Sequence, residues 1–156
     1  MVYVFDTSSF IVIGHYYPER FPTFWTRFDA AVDAEEIVSV REAFNELTTE
    51  ASRPWLSQWI KEHKEIFLVP SDEETQFVRR IFRVPHFQML VNGKARLTGK
   101  PTADPFIIAA ARVRDGTVVS EETKKPNAAR IPNVCEHFGI PCVTVEGFLA
   151  EKNWRF

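Results

Sequence analysis

Five short apolar runs of strand-forming residues, separated by longer stretches with helical spacing, constrain this chain more than any other feature. The runs are Val2–Phe5, Ile37–Val40, Ile66–Val69, Thr117–Val119 and Cys142–Val145. Apolar runs of this length, rich in Val, Ile and aromatic side chains, read as buried strands. Between them, Phe24, Phe28, Ala31 and Val32 share one helical face, and Ala43, Phe44, Leu47 and Ala51 share another. Phe77, Ile81 and Phe82 predict a third helix, opened by Ser71-Asp72-Glu73-Glu74, whose acids suit a helix N-terminus. Phe106–Val113 predicts a fourth. Strands that alternate with helices imply an α/β domain with a mostly parallel sheet covered on both faces.

Pro and Gly fall at the joints, and no repeat, low-complexity tract or linker divides the sequence, so a single domain over residues 1–156 is expected. A chain of this length buries roughly two-thirds of its unfolded surface. With 45% hydrophobic residues it fills a core, which excludes wholesale disorder. The net charge of -2 points to no polyanionic partner by itself, yet a buried acidic cluster would offset basic surface elsewhere. Cys135 and Cys142 form neither a metal-type spacing nor a disulfide framework, which fits a reducing cytosol. The N-terminus lacks a basic region before its apolar stretch, and no run approaches the ~20 residues that cross a bilayer. The expectation is a soluble, cytoplasmic protein.

Four acids stand where elements begin or end. Asp6 follows the first strand and precedes Thr7-Ser8-Ser9. Glu46 lies in Asn45-Glu46-Leu47, on the helix opened by Ser39-Val40-Arg41-Glu42. Asp104 heads the most apolar helix, in Thr102-Ala103-Asp104-Pro105-Phe106-Ile107-Ile108-Ala109-Ala110-Ala111. Glu122 follows the fourth strand in Ser120-Glu121-Glu122. Each has an ordinary reading on its own: Asp6 and Asp104 as helix caps, Glu46 as an exposed helix residue with Glu42 competing for any inward role, and Glu121-Glu122 as a solvated turn. If the segments come from neighbouring strands, the carboxylates converge on one cleft. A like-charge pair at about 4 Å costs about 1 kcal/mol in water and about 4 near a protein surface, so protonation or a divalent cation must relieve the cluster. Oxygen donors without His or Cys favour Mg²⁺ or Mn²⁺ over zinc, and such ions suit phosphodiester hydrolysis.

The strand-Asp-Thr-Ser opening, the Asn45-Glu46-Leu47 acid, the Ala103-Asp104-Pro-Phe-Ile-Ile-Ala-Ala-Ala helix and the Val-Val-Ser-Glu-Glu turn together resemble the PIN domain. The likeness is to VapC-like toxins and to a PIN-like branch with an aromatic Tyr-Tyr-Pro…Phe-Trp insert after the first motif. It spans nearly the whole chain in order. The resemblance implies a three-layer α/β/α sandwich and a Mg²⁺- or Mn²⁺-dependent endoribonuclease acting on single-stranded RNA. By that analogy Asp6, Glu46, Asp104 and Glu122 are the catalytic, metal-coordinating acids, with Thr7 and Ser120 as supporting hydroxyls. Many relatives carry Asp at the fourth position, so whether Glu121 or Glu122 fills it stays open. The resemblance also implies a homodimer and a small antitoxin protein as partner.

RNA contacts would fall to basic residues outside the acids: Lys94, Arg96 and Lys100 in the loop before the fourth helix, and Lys124, Lys125 and Arg130 after the fourth motif. The aromatic stretch Tyr16–Phe28 covers the sheet, forms a dimer contact or stacks bases. His15, His63, His86 and His137 are scattered, with no pair at metal-ligand spacing. No Gly-x-Ser-x-Gly elbow, phosphate loop or dinucleotide fingerprint occurs. Two rivals to the ribonuclease remain. One is a non-catalytic PIN-like module that binds RNA or protein, its acids serving as caps. The other is a haloacid-dehalogenase-like phosphatase, which needs a second Asp where Ser8 stands.

Overall fold

Tyr3, Val4 and Phe5 form the central strand of the molecule, β1 (Tyr3–Phe5), and all three are buried because both faces of the sheet are covered. A computed structural model describes residues 1–49, 53–91 and 102–156 of the chain. After β1 come α1 (Thr7–Ile13), α2 (Pro22–Asp33), β2 (Ile37–Val40), α3 (Arg41–Thr49), α4 (Pro54–Glu62) and β3 (Phe67–Leu68). Then follow α5 (Asp72–Phe82), α6 (Ala103–Val113), β4 (Thr117–Val119), α7 (Ile131–Phe138), β5 (Cys142–Val143) and α8 (Val145–Glu151). Among the described residues the strands make one sheet of order β3-β2-β1-β4-β5, every pairing parallel.

This order follows from handedness. Parallel crossovers are right-handed, so the steps from β1 to β2 to β3 lay their helices on one face. The return past β1 to β4 and β5 lays its helices on the other. Phe5 accordingly meets Phe10 of α1, Phe28 of α2 and Phe148 of α8, with ring centroids 5.6, 5.5 and 5.1 Å away. Trp59 of α4 closes this aromatic layer against Phe10 and Phe28. Val4 points to the opposite face, where α6 runs across β1, β2 and β4 and carries α5 and α7 on its back. The three-layer α/β/α architecture around a parallel sheet expected from the sequence is the one observed.

Each predicted strand is present; β2 and β4 keep their expected bounds and the other three are trimmed. Ile66 ends a short 3-10 turn, Val69 is exposed beyond β3, and Val145 opens α8 rather than closing a strand. The four helices expected from periodicity all form. Ser71 caps α5 through the Glu74 N–H, as its acid-rich start implied. Ala51, expected on the face of α3, lies outside the described residues. Helices α1, α7 and α8 are seven or eight residues long, too short to repeat an apolar stripe and declare themselves by periodicity. Within the aromatic stretch, Phe24, Trp25 and Phe28 are buried on the sheet layer, while Tyr17 and Phe21 are exposed. Among the described residues no helix is long and apolar enough to cross a membrane.

The turn after α7 depends on one glycine. Gly139 has φ +69°, and a Cβ there would meet open space. Replacing it with Ala therefore adds backbone strain without a clash. Gly139→Ala is expected to lower stability by about 1 kcal/mol, read as a smaller urea midpoint with an unchanged slope.

Candidate active site

In a doubly wound sheet the ligand crevice opens beyond the strand carboxyl ends, at the pair where the chain reverses its direction of travel. Here that pair is β1 and β4, and Asp6 and Ser120 are the residues that follow them. The Asp6 N–H donates to the Val119 carbonyl at 3.0 Å, tying the two strand ends together.

Asp6 is only 2% exposed. Its Oδ1 accepts from the Ser9 N–H at 2.8 Å, which makes it the N-cap of α1. The Ser8 hydroxyl donates to the same carboxylate at 2.8 and 2.9 Å, and Ser120 donates across the switch point to Oδ2 at 2.6 Å. Burial pushes the Asp6 carboxyl above its ordinary range, and the bonds from Ser120, Ser9 and Ser8 oppose that push. Asp6 is thus both a cap and a buried acid held by hydroxyls.

Glu46 reaches inward from α3 rather than lying exposed on it. Its Oε2 accepts from the Thr7 hydroxyl at 2.5 Å, and its Oε1 accepts from the Ala103 N–H at 3.0 Å. One carboxylate therefore pins the start of α6 to the start of α1. Glu42, a turn earlier, is buried; its Oε1 pairs with Arg41 at 2.9 Å and its Oε2 has no partner.

Asp104 stands in the first turn of α6. Its carboxyl is pushed up to about 8, first by burial and then by the charges of Glu122, Asp6 and Glu46. The three charges that add to burial come from the residue after β1, from α3 and from the turn after β4. No hydrogen bond offsets the repulsion among the described residues.

The turn after β4 divides its two glutamates. Glu121 Oε1 accepts from the Val145 N–H at 2.6 Å and so caps α8. Glu122 Oε2 accepts from the Ile131 N–H at 2.9 Å, and its own N–H donates to Ser120 Oγ at 3.2 Å. Both are half-buried, so the turn is not simply solvated. It is Glu122, not Glu121, whose charge acts on Asp104.

The expected basic residues are less concentrated. Lys94, Arg96 and Lys100 lie outside the described residues. Lys124 is paired with Glu136, Lys125 has its backbone bonded to the Asn133 side chain, and Arg130 donates to the Thr123 carbonyl at 3.3 Å. Sequence reasoning linked Ser8 to an Asp6 cap but missed the role of Glu121 at the start of α8. The Ser-Ser after Asp6 was the signal for that cap, since a residue two or three past an N-cap has an N–H or hydroxyl to direct at it.

An all-oxygen donor set with excess negative charge fits a hard divalent cation. Among the described residues, however, no group of three or more Asp, Glu, His or Cys side chains is arranged to hold a metal ion as it stands. The hydrogen bonds explain why: Glu46 and Glu122 each turn carboxylate oxygen onto a helix N-terminus.

A family model described as "Domain of unknown function (DUF4411)" matches residues 3–156. The chain belongs to the DUF4411 family. No curated protein sequence matches this DUF4411 chain significantly. Among solved structures it is similar to VapBC2 from Rickettsia felis bound to a DNA fragment from their promoter, with 13% identity and a TM-score of 0.49. That alignment covers 82% of this chain and 96% of the other. PAE2754 from Pyrobaculum aerophilum aligns with 18% identity and a TM-score of 0.42, covering 89% and 96% respectively. Both are too distant to transfer chemistry to the DUF4411 acids, which rest on their own geometry.

Proposed function

We propose that this protein is a divalent-metal-dependent endoribonuclease that hydrolyses phosphodiester bonds in single-stranded RNA. The feature that carries the reading is Asp104, a carboxyl whose proton is held first by burial and then by the charges of Glu122, Asp6 and Glu46. Four acids gathered at a switch-point crevice need a cation, and the oxygen-only donors suit Mg²⁺ or Mn²⁺. Asp6, Glu46, Asp104 and Glu122 would hold it, Glu46 and Glu122 by giving up a bond to a helix N-terminus. When bound, such an ion acidifies water and offsets charge on the departing oxygen. The chain's own part is orientation: Ser120 and Ser8 fix the Asp6 carboxylate, and Thr7 fixes Glu46. The PIN resemblance extends the reading to the toxin of a toxin–antitoxin pair, with a small antitoxin covering the cleft and a homodimeric assembly. A short neighbouring reading frame encoding a DNA-binding protein would support that extension.

A second reading has its own observation. Asp6, Glu46 and Glu122 all accept from helix N-terminal N–H groups, as structural caps do. A non-catalytic RNA- or protein-binding module needs nothing more. The two readings separate in one experiment with labelled single-stranded RNA. The nuclease cuts it with Mn²⁺, not with chelator, and its melting temperature climbs with Mn²⁺ concentration. Neither cleavage nor a thermal shift is the result that selects the module.

A further inference from the structure

We propose that Cys135 and Cys142 form a reversible oxidation site, closing to an intrachain disulfide when the protein meets a peroxide. They are the chain's two cysteines, and both are free thiols. Spacing alone gave no reason to pair them, but the end of α7 does. The Ile140 N–H donates to the Cys135 carbonyl at 2.9 Å and the Gly139 N–H to Glu136 at 3.3 Å, the two bonds of a Schellman closure. With Gly139 left-handed, the chain doubles back at once into β5. Cys142 opens that strand, held in register against Val118, and the reversal sets it beside Cys135. Each thiol is the largest single influence on the other's titration, so the two side chains lie within interaction range of one another.

Their environments differ in the sense an oxidation pair requires. Cys135 is fully buried, and its interaction with Cys142 together with burial holds it as a thiol. Cys142 is half-buried, so a small oxidant reaches it, and its interaction with Cys135 favours its thiolate against burial and the charges of Asp6 and Glu122. The charges of Asp6 and Glu122 act on both sulfurs, which locates the pair beside the acidic cleft. The chemistry balances with hydrogen peroxide as oxidant. The Cys142 thiolate attacks one peroxide oxygen and hydroxide leaves, giving a sulfenic acid. The Cys135 sulfur then displaces the sulfenic oxygen as the S–S bond forms, and the thiol proton leaves with that oxygen as water. Two electrons pass from the thiols to peroxide, and an added dithiol returns them.

The site needs no assumption about RNA cleavage and is tested independently of it. The full-length reduced protein is treated with hydrogen peroxide, unfolded, alkylated with a maleimide and weighed intact under non-reducing conditions. The expected product is a monomer lighter by two hydrogens, with both alkylation sites lost and both restored by dithiothreitol. In Cys135→Ala, Cys142 is expected to accumulate as a sulfenic acid trapped by dimedone. The parent protein alone decides the question if that variant does not fold. Three results in the parent overturn the proposal: both thiols still alkylated, Cys142 oxidised to sulfinic acid with Cys135 still alkylated, or a disulfide between two copies.

Discussion

Asp104→Asn and Asp6→Asn are each expected to fold and to lose at least about a hundredfold of Mn²⁺-dependent RNA cleavage, the scale of removing one charge-stabilising group at a reacting centre. The argument turns on what Asn keeps. At Asp6 the amide oxygen still accepts from the Ser9 N–H, and Asn caps a helix about as well as Asp, so α1 is preserved. The Ser8 and Ser120 hydroxyls rotate to receive the amide N–H. Charge is the one thing removed. Asp6→Ala is the contrast: it removes the cap as well and is expected to cost about 1 kcal/mol of stability. Circular dichroism and denaturant melts check the folds, and initial rates on a single-stranded oligonucleotide check the activity. Full activity in both Asn variants would mean that neither carboxylate takes part in cleavage.

How far the sequence disclosed this arrangement varies with the physics of each part. The strands were legible because buried parallel strands are near-continuous apolar runs, as in Val2–Phe5, and α6 was legible because its apolar face is so wide. Asp6 and Asp104 stood at punctuated element boundaries, where an acid has to be doing something. Glu46 was different. Nothing local distinguishes it from an exposed helix residue, because its partners Thr7 and Ala103 arrive from elements far away in sequence. Glu121 and Glu122 looked interchangeable for the same reason. Only the positions of the α7 and α8 N-termini assign one to Ile131 and the other to Val145. The short helices stayed hidden because a stretch of two turns cannot repeat a pattern. The pairing of Cys135 with Cys142 is likewise a product of the Gly139 reversal rather than of their spacing.

The second large effect is on stability, and its sign follows from Asp104. An ordinary Asp carboxyl loses its proton near 3.8, whereas in the folded protein Asp104 keeps it until about 8. Between those values the native state binds one proton more than the unfolded chain, so stability falls as pH rises. Below the window both states are protonated and above it both are ionised, so the dependence flattens at each end. The slope approaches about 1.4 kcal/mol per pH unit at most for one group, and Asp6, also shifted upward, adds in the same direction. In the presence of chelator, the parent's stability from urea melts is therefore expected to decline from pH 5 to pH 8, and Asp104→Asn to decline less. A divalent ion competes with that same proton, so the stabilisation by Mn²⁺ should grow across this window and level off near pH 8. Equal pH slopes in parent and variant would show that the folded protein does not hold the Asp104 proton above its ordinary range. The proposed cation site would then lose its main electrostatic support.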